Sequence, residues 1–170
     1  MKQSVFGVGL ASCYNLTVSG ELRKEGALIM SCLFCDIVRG QVPASLVYED
    51  EMVMAFMDIQ PVNPGHVLIT ARDHASLLAD LDPEVGGHLF QVGMQLAAAL
   101  RRSPLRCEGI NFYLADGAAA GQQVGHIHLH VVPRFLGDGF GLRFGPHYSQ
   151  RPSRETLDEV AAAIRQELVG

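Results

Sequence analysis

No run of about 18 or more apolar residues occurs in the 170-residue chain, so no segment reads as a membrane-spanning helix. No internal repeat recurs along it, which sets aside solenoid architectures. Lysine and arginine are few, 13 against 18 aspartates and glutamates, and they do not gather into a basic stretch. A surface that neutralises a nucleic-acid backbone needs such a stretch, so the composition argues against a nucleic-acid polymer as partner. The net charge of −5 still leaves room for a small anionic ligand, because a few converging N–H groups can hold a phosphate on an acidic protein. With 48% hydrophobic and 18% charged residues the chain can bury one core, and a single folded domain is expected.

The stretch His126-Ile127-His128-Leu129-His130-Val131-Val132 alternates imidazoles with branched aliphatic side chains. A period of two predicts a strand with His126, His128 and His130 on one face and Ile127, Leu129 and Val131 on the other. Three imidazoles on one strand face point to chemistry, either as metal ligands or as nucleophile and proton carrier near neutral pH. A second ligand-type pattern is Cys32-x-x-Cys35, which reads as half of a zinc site or as a redox pair. A redox pair belongs at the strand-to-helix junction of a βαβ unit, whereas the residues that follow read as hairpins. That context favours zinc and a reducing compartment.

Residues 1–30 show no sustained apolar period and are expected to be a disordered extension. Lys2, a short apolar run and Leu10-Ala11-Ser12-Cys13 resemble a lipoprotein signal that would lipidate Cys13. The apolar segment is shorter than a secretory core of about 7 to 15 residues, so a cytoplasmic location is preferred. Residues 33–39 predict a short helix closed by Gly40. Residues 46–49 and 52–58 predict a hairpin turning at Asp50-Glu51, and 66–71 a third strand after Asn63-Pro64-Gly65. Asp82-Pro83-Glu84 starts a helix whose apolar stripe is Leu89, Val92, Leu96 and Leu100. Residues 110–114 predict the strand before the triad, and 135–148 a glycine- and aromatic-rich loop. Ser153 then caps a last helix, whose Leu157, Val160, Ala161 and Ile164 are expected to pack on the domain or on a partner subunit. The pattern is α+β with an antiparallel sheet.

H-x-H-x-H followed by two apolar residues, and preceded by Gly121-Gln122-Gln123-Val124, resembles the signature of the histidine triad (HIT) family. The likeness extends back through Asp58-Ile59-Gln60-Pro61 and Pro64-Gly65-His66-Val67-Leu68-Ile69 to Cys32 and Cys35. It implies a HIT-like fold over residues 31–135: an antiparallel five-stranded sheet with flanking helices. Residues 136–170, the loop and C-terminal helix, would pack on that domain or on the second subunit of a homodimer. It also implies a hydrolase or transferase that attacks the α-phosphate of a nucleoside phosphoramidate or dinucleoside polyphosphate through a nucleotidyl-histidine. In that mechanism His128 is the nucleophile, and Gln122 and His130 assist at the phosphate. Asp58 would bind the ribose hydroxyls, Leu33, Phe34, Ile37 and Ile59 would enclose the base, and Gln123 would complete the nucleotide site.

A zinc-binding, bacterial-type branch of the family joins the two cysteines to a histidine after the third strand and to the first histidine of the triad. Here those are His74 and His126, giving a closed Cys32, Cys35, His74, His126 set for a structural Zn2+. Two positions depart from the family pattern. Ala115 stands where many members have an asparagine that contacts phosphate, and Gln123 replaces a serine or threonine. The rival expectations are a zinc-stabilised nucleotide-binding module with weak turnover, and a hydrolase that uses all three triad histidines as catalytic zinc ligands.

Overall fold

The computed structural model describes residues 32–168. The expected extension 1–30, with Cys13, lies outside the described residues. The elements in chain order are α1 (Leu33–Val38), β1 (Leu46–Glu49), β2 (Val53–Met57), β3 (Val67–Ala71), α2 (Pro83–Arg102), β4 (Gly109–Leu114), β5 (His128–Arg134) and α3 (Arg154–Leu168). The five strands form one antiparallel sheet in the order β1-β2-β3-β5-β4, which leaves β1 and β4 at its edges. No helix among the described residues is long and apolar enough to cross a membrane.

Local chemistry sets the element ends. Gly40 takes φ +71° just past α1, a left-handed conformation that glycine adopts without a Cβ penalty. Asp50 shapes the β1–β2 turn: its Oδ1 accepts from the backbone N–H groups of Met52 and Val53, both at 2.8 Å, and Tyr48 donates to Oδ2 at 2.7 Å. Asp82 caps α2 by accepting from the Glu84 N–H at 2.8 Å, with Pro83 at the first helical position.

The stripe Leu89, Val92, Leu96 and Leu100 lies buried against one face of the sheet, together with Ile69, Ile127, Leu129 and Val131. Gly93 lets α2 sit close. A Cβ added there would lie 2.9 Å from the Phe112 ring and 3.2 Å from a Leu129 methyl. On the opposite face Phe34 of α1 joins Met54, Phe56 and Leu68 in a smaller core. Leu68 pairs with His130 and Thr70 with His128, so the imidazole face of β5 looks toward α1.

One local difference from the sequence-based expectation appears, with two further features at α3 and at the loop after β5. The triad strand begins at His128 rather than His126. The Ile127 N–H donates to the Ala75 carbonyl at 2.8 Å and the His126 N–H to Val124 at 2.8 Å, so the backbone before His128 is held by loops and not by the ladder. The stripe of α3 is not covered by the described chain: Leu157, Val160 and Ile164 are exposed, and no α3 residue is buried. Finally, the start of the 135–148 loop is tied down. The Asp138 carboxylate takes two bonds from the Arg134 guanidinium, at 2.6 and 2.7 Å, and one from the buried Asn63 amide at 2.9 Å.

Candidate functional site

Two of the triad imidazoles stand side by side on β5, with ring centroids 4.8 Å apart. His128 is buried, and its ring stands nearly perpendicular to that of Phe34, with centroids 5.0 Å apart. Its Nδ1 lies 2.7 Å from the His126 carbonyl oxygen. A carbonyl can only accept, so Nδ1 carries the proton and Nε2 keeps the lone pair. Burial holds this imidazole below its usual pKa, against the opposing effects of the His126 carbonyl and Asp58, and the neutral form prevails near pH 7. His130 Nδ1 sits 2.9 Å from His66 Nε2. Burial, with His128 and His66 adding to it, brings His130 down to about 4.

The third imidazole leaves this pair. His126 is fully buried and turns its Nδ1 to the two cysteines, 3.4 Å from Cys32 Sγ and 3.6 Å from Cys35 Sγ, while His74 Nδ1 is 3.3 Å from Cys35 Sγ. All four donor atoms lie within 4.8 Å of one another. A tetrahedral zinc with ordinary Zn–S and Zn–N bonds has sulfur-to-nitrogen edges of about 3.6 Å, so the donor set fits that ion. The far ring nitrogens are held as ligating histidines require: His126 Nε2 donates to the Ala71 carbonyl at 2.9 Å, and His74 Nε2 is 3.1 Å from Ser76 Oγ. The triad therefore divides between two centres, and the three imidazoles do not form one ligand set.

Residues 39–137 match the sequence profile of the HIT domain. The chain belongs to the HIT family. A HIT-like protein of Borreliella burgdorferi is 42% identical over 115 residues, covering 67% of this chain and 83% of that protein. A zinc-bound histidine triad family protein from Mycobacterium smegmatis matches the structure with a TM-score of 0.64 at 43% identity, covering 79% of this chain and 98% of that one. A histidine triad nucleotide-binding protein from Candida albicans matches with a TM-score of 0.72 at 27% identity, covering 82% and 98%. The antiparallel five-stranded sheet with flanking helices and a C-terminal helix is accordingly the fold of this HIT protein.

The other residues singled out from the sequence take varied places in the HIT domain. Asp58 is half-buried; its Oδ1 accepts from the Gln60 N–H at 2.7 Å, and its Oδ2 lies 3.4 Å from His66 Nδ1. Phe34 is core as well as a wall beside His128, Ile37 is half-buried, and Leu33 and Ile59 are exposed. Gln122 is engaged within the protein: Oε1 accepts from the Gly117 N–H at 2.8 Å and Nε2 donates to the Ser76 carbonyl at 2.9 Å. Only one of its amide hydrogens is left for a ligand. Gln123 is exposed and Ala115 is buried at the end of β4.

Residues missed in the sequence are the ones that brace this loop. Ser76 and Asp116 join it to the segment after β3: Leu78 N–H donates to Asp116 Oδ1 at 3.0 Å, and Ser76 Oγ to the Gly125 carbonyl at 3.4 Å. Tyr113 adds a bond to the Ala120 carbonyl at 3.0 Å. No local sequence pattern marks these contacts, since each spans two elements.

Proposed function

We propose that this protein is a nucleotide hydrolase or transferase that attacks the α-phosphorus of a nucleoside phosphoramidate or dinucleoside polyphosphate. The observation that carries the reading is the 2.7 Å bond from His128 Nδ1 to the His126 carbonyl, which keeps the Nε2 lone pair free for attack. In the first step the Nε2–P bond forms, the bond from phosphorus to the leaving group breaks, and the leaving group takes up a proton. Water then attacks phosphorus, the N–P bond breaks, and the nucleotide and His128 are released. His130 serves at the phosphate, and Gln122 contributes its remaining N–H and the loop it braces. Asp58 receives ribose hydroxyls, and Leu33, Phe34, Ile37 and Ile59, with Gln123 nearby, form the nucleotide cleft.

The metal in this reading is a structural zinc on Cys32, Cys35, His74 and His126. Bound there it would join α1 to the residue whose carbonyl orients His128, and it takes no part in the reaction. The separation of His126 from His130 speaks against a zinc that uses all three triad histidines. A homodimer in the cytoplasm completes the proposal. The free edge of β4 and the exposed Phe90, Met94 and Tyr113 support a second copy as partner, as does the uncovered stripe of α3.

A second reading, a nucleotide-binding module with weak turnover, is favoured by the engaged Gln122 amide and by Ala115, which has no donor to offer. Release of AMP from adenosine 5′-phosphoramidate by the wild type and by His128→Ala, both shown to be folded, separates the two. Activity lost in the variant is expected. A wild type that binds AMP tightly and releases none would overturn the hydrolase reading in favour of the binding module.

A further inference from the structure

We propose that His66 is a positioning residue that fixes the proton of His130 on Nε2, so that His130 meets the substrate as a hydrogen-bond donor. The inference rests on the reading of the His128–His130 face as the reacting face. Its starting point is a backbone group with no choice of role. The Val62 N–H donates to His66 Nδ1 at 3.2 Å. Nδ1 must therefore carry a lone pair, and the proton of neutral His66 sits on Nε2. His66 Nε2 lies 2.9 Å from His130 Nδ1. With the proton on the His66 side of that contact, His130 Nδ1 accepts, and the single proton of neutral His130 is left on Nε2.

The competing order starts from Asp58. Its Oδ2, 3.4 Å from His66 Nδ1, would favour a proton there and reverse the whole relay. That order would set the Val62 N–H against another N–H at the shorter distance, losing a hydrogen bond at a buried ring. The main chain that carries the ring is fixed in place: the backbone N–H of His66 donates to the Asn63 carbonyl at 3.1 Å and its backbone carbonyl accepts from the Asp58 N–H at 3.0 Å. In this relay both His66 nitrogens are committed, Nδ1 to the Val62 N–H and Nε2 to His130.

The consequence is a division of labour between neighbouring imidazoles. His128 donates through Nδ1 to a carbonyl and offers a lone pair at Nε2. His130 accepts through Nδ1 from His66 and offers a proton at Nε2. A nucleophile and a donor are thereby presented side by side, and no charge need be placed on either ring beforehand. Burial keeps both His66 and His130 on the neutral side near pH 7, which the relay requires.

The test reads the proton directly, by long-range 1H–15N correlation on the full chain labelled with 15N-histidine at neutral pH. The wild type is expected to show protonated Nε2 and bare Nδ1 for His130, and the reverse for His128. In His66→Leu, His130 should populate both tautomers, whereas His66→Gln, whose amide N–H can replace the lost donor, should retain the wild-type pattern. With adenosine 5′-phosphoramidate, kcat should fall at least about tenfold in His66→Leu with KM little changed, and recover in part in His66→Gln. A wild-type spectrum with His130 protonated on Nδ1, or a His66→Leu spectrum unchanged from wild type, would overturn the proposal. The spectrum needs no turnover, so a wild type that releases no AMP defeats the hydrolase reading and leaves the tautomer assignment to its own measurement.

Discussion

His88 Nε2, on α2, lies 2.6 Å from Asp50 Oδ2 at the turn between β1 and β2. This joins the core helix to a hairpin at the far edge of the sheet. Asp50 is the hub, since the same carboxylate also accepts from Tyr48, Met52 and Val53. From the sequence, His88 is an ordinary solvent-facing or packing residue on a helix.

The pair makes stability depend on pH in a defined direction. The Asp50 bond raises the His88 pKa, with burial opposing it, so the stabilisation it gives is present at low pH and is lost as pH rises through that raised value. Burial pushes Asp50 up, but the bonds from His88, Val53, Tyr48 and Met52 outweigh it and hold the carboxyl well below its usual range. Its contribution is therefore lost only as pH falls below the ordinary carboxylate pKa. The Tm difference between wild type and His88→Leu should be largest between about pH 4.5 and 6.5 and should shrink toward pH 9. A difference that grew with pH would contradict this assignment.

If the Cys2His2 set holds a structural zinc, the purified protein should contain close to one zinc per chain by elemental analysis, and Cys35→Ser should contain almost none. Strong chelators should lower the Tm by several degrees before they reduce AMP release from the protein that is still folded. Loss of activity with no change in Tm would indicate a catalytic metal.

Two glycines of α2 should respond in opposite directions. A Cβ at Gly87 meets nothing within 4 Å, so Gly87→Ala should stabilise the protein by about 0.5–1 kcal/mol through helix propensity. Gly93 sits against Phe112 and Leu129, so Gly93→Val should destabilise it by about 1–3 kcal/mol. Urea unfolding of the two variants against wild type checks both signs.

The proposed dimer places the β4 edge and the outer face of α2 against a second copy. Phe90 packs on Phe112 of β4 with centroids 5.2 Å apart, yet both Phe90 and Met94 remain exposed in the single chain. Size-exclusion chromatography with light scattering should give twice the chain mass for wild type, and the monomer mass for the double variant Phe90→Asp, Met94→Lys. A monomeric wild type would remove the dimer from the functional reading.

Period and punctuation made much of this fold readable in one dimension. Asp82-Pro83 announces α2, the spacing of Leu89, Val92, Leu96 and Leu100 fixes its buried face, and Gly40 marks the end of α1, because each of these depends on neighbours within a few residues. The alternation from Ile127 to Val131 likewise gave which side chains make core, but it could not show where the ladder begins. That start depends on Ala75, some fifty positions away, taking the Ile127 N–H in place of β3. Long-range contact also decided the direction of His126, which left its two strand-mates for Cys32, Cys35 and His74. It further committed the Gln122 amide to Gly117 and Ser76, and bonded His66 between Val62 and His130. Residue type and spacing determined which chemical groups this protein carries. Which nitrogen holds a proton and which lone pair is free follows from donors and acceptors that only the folded chain brings together.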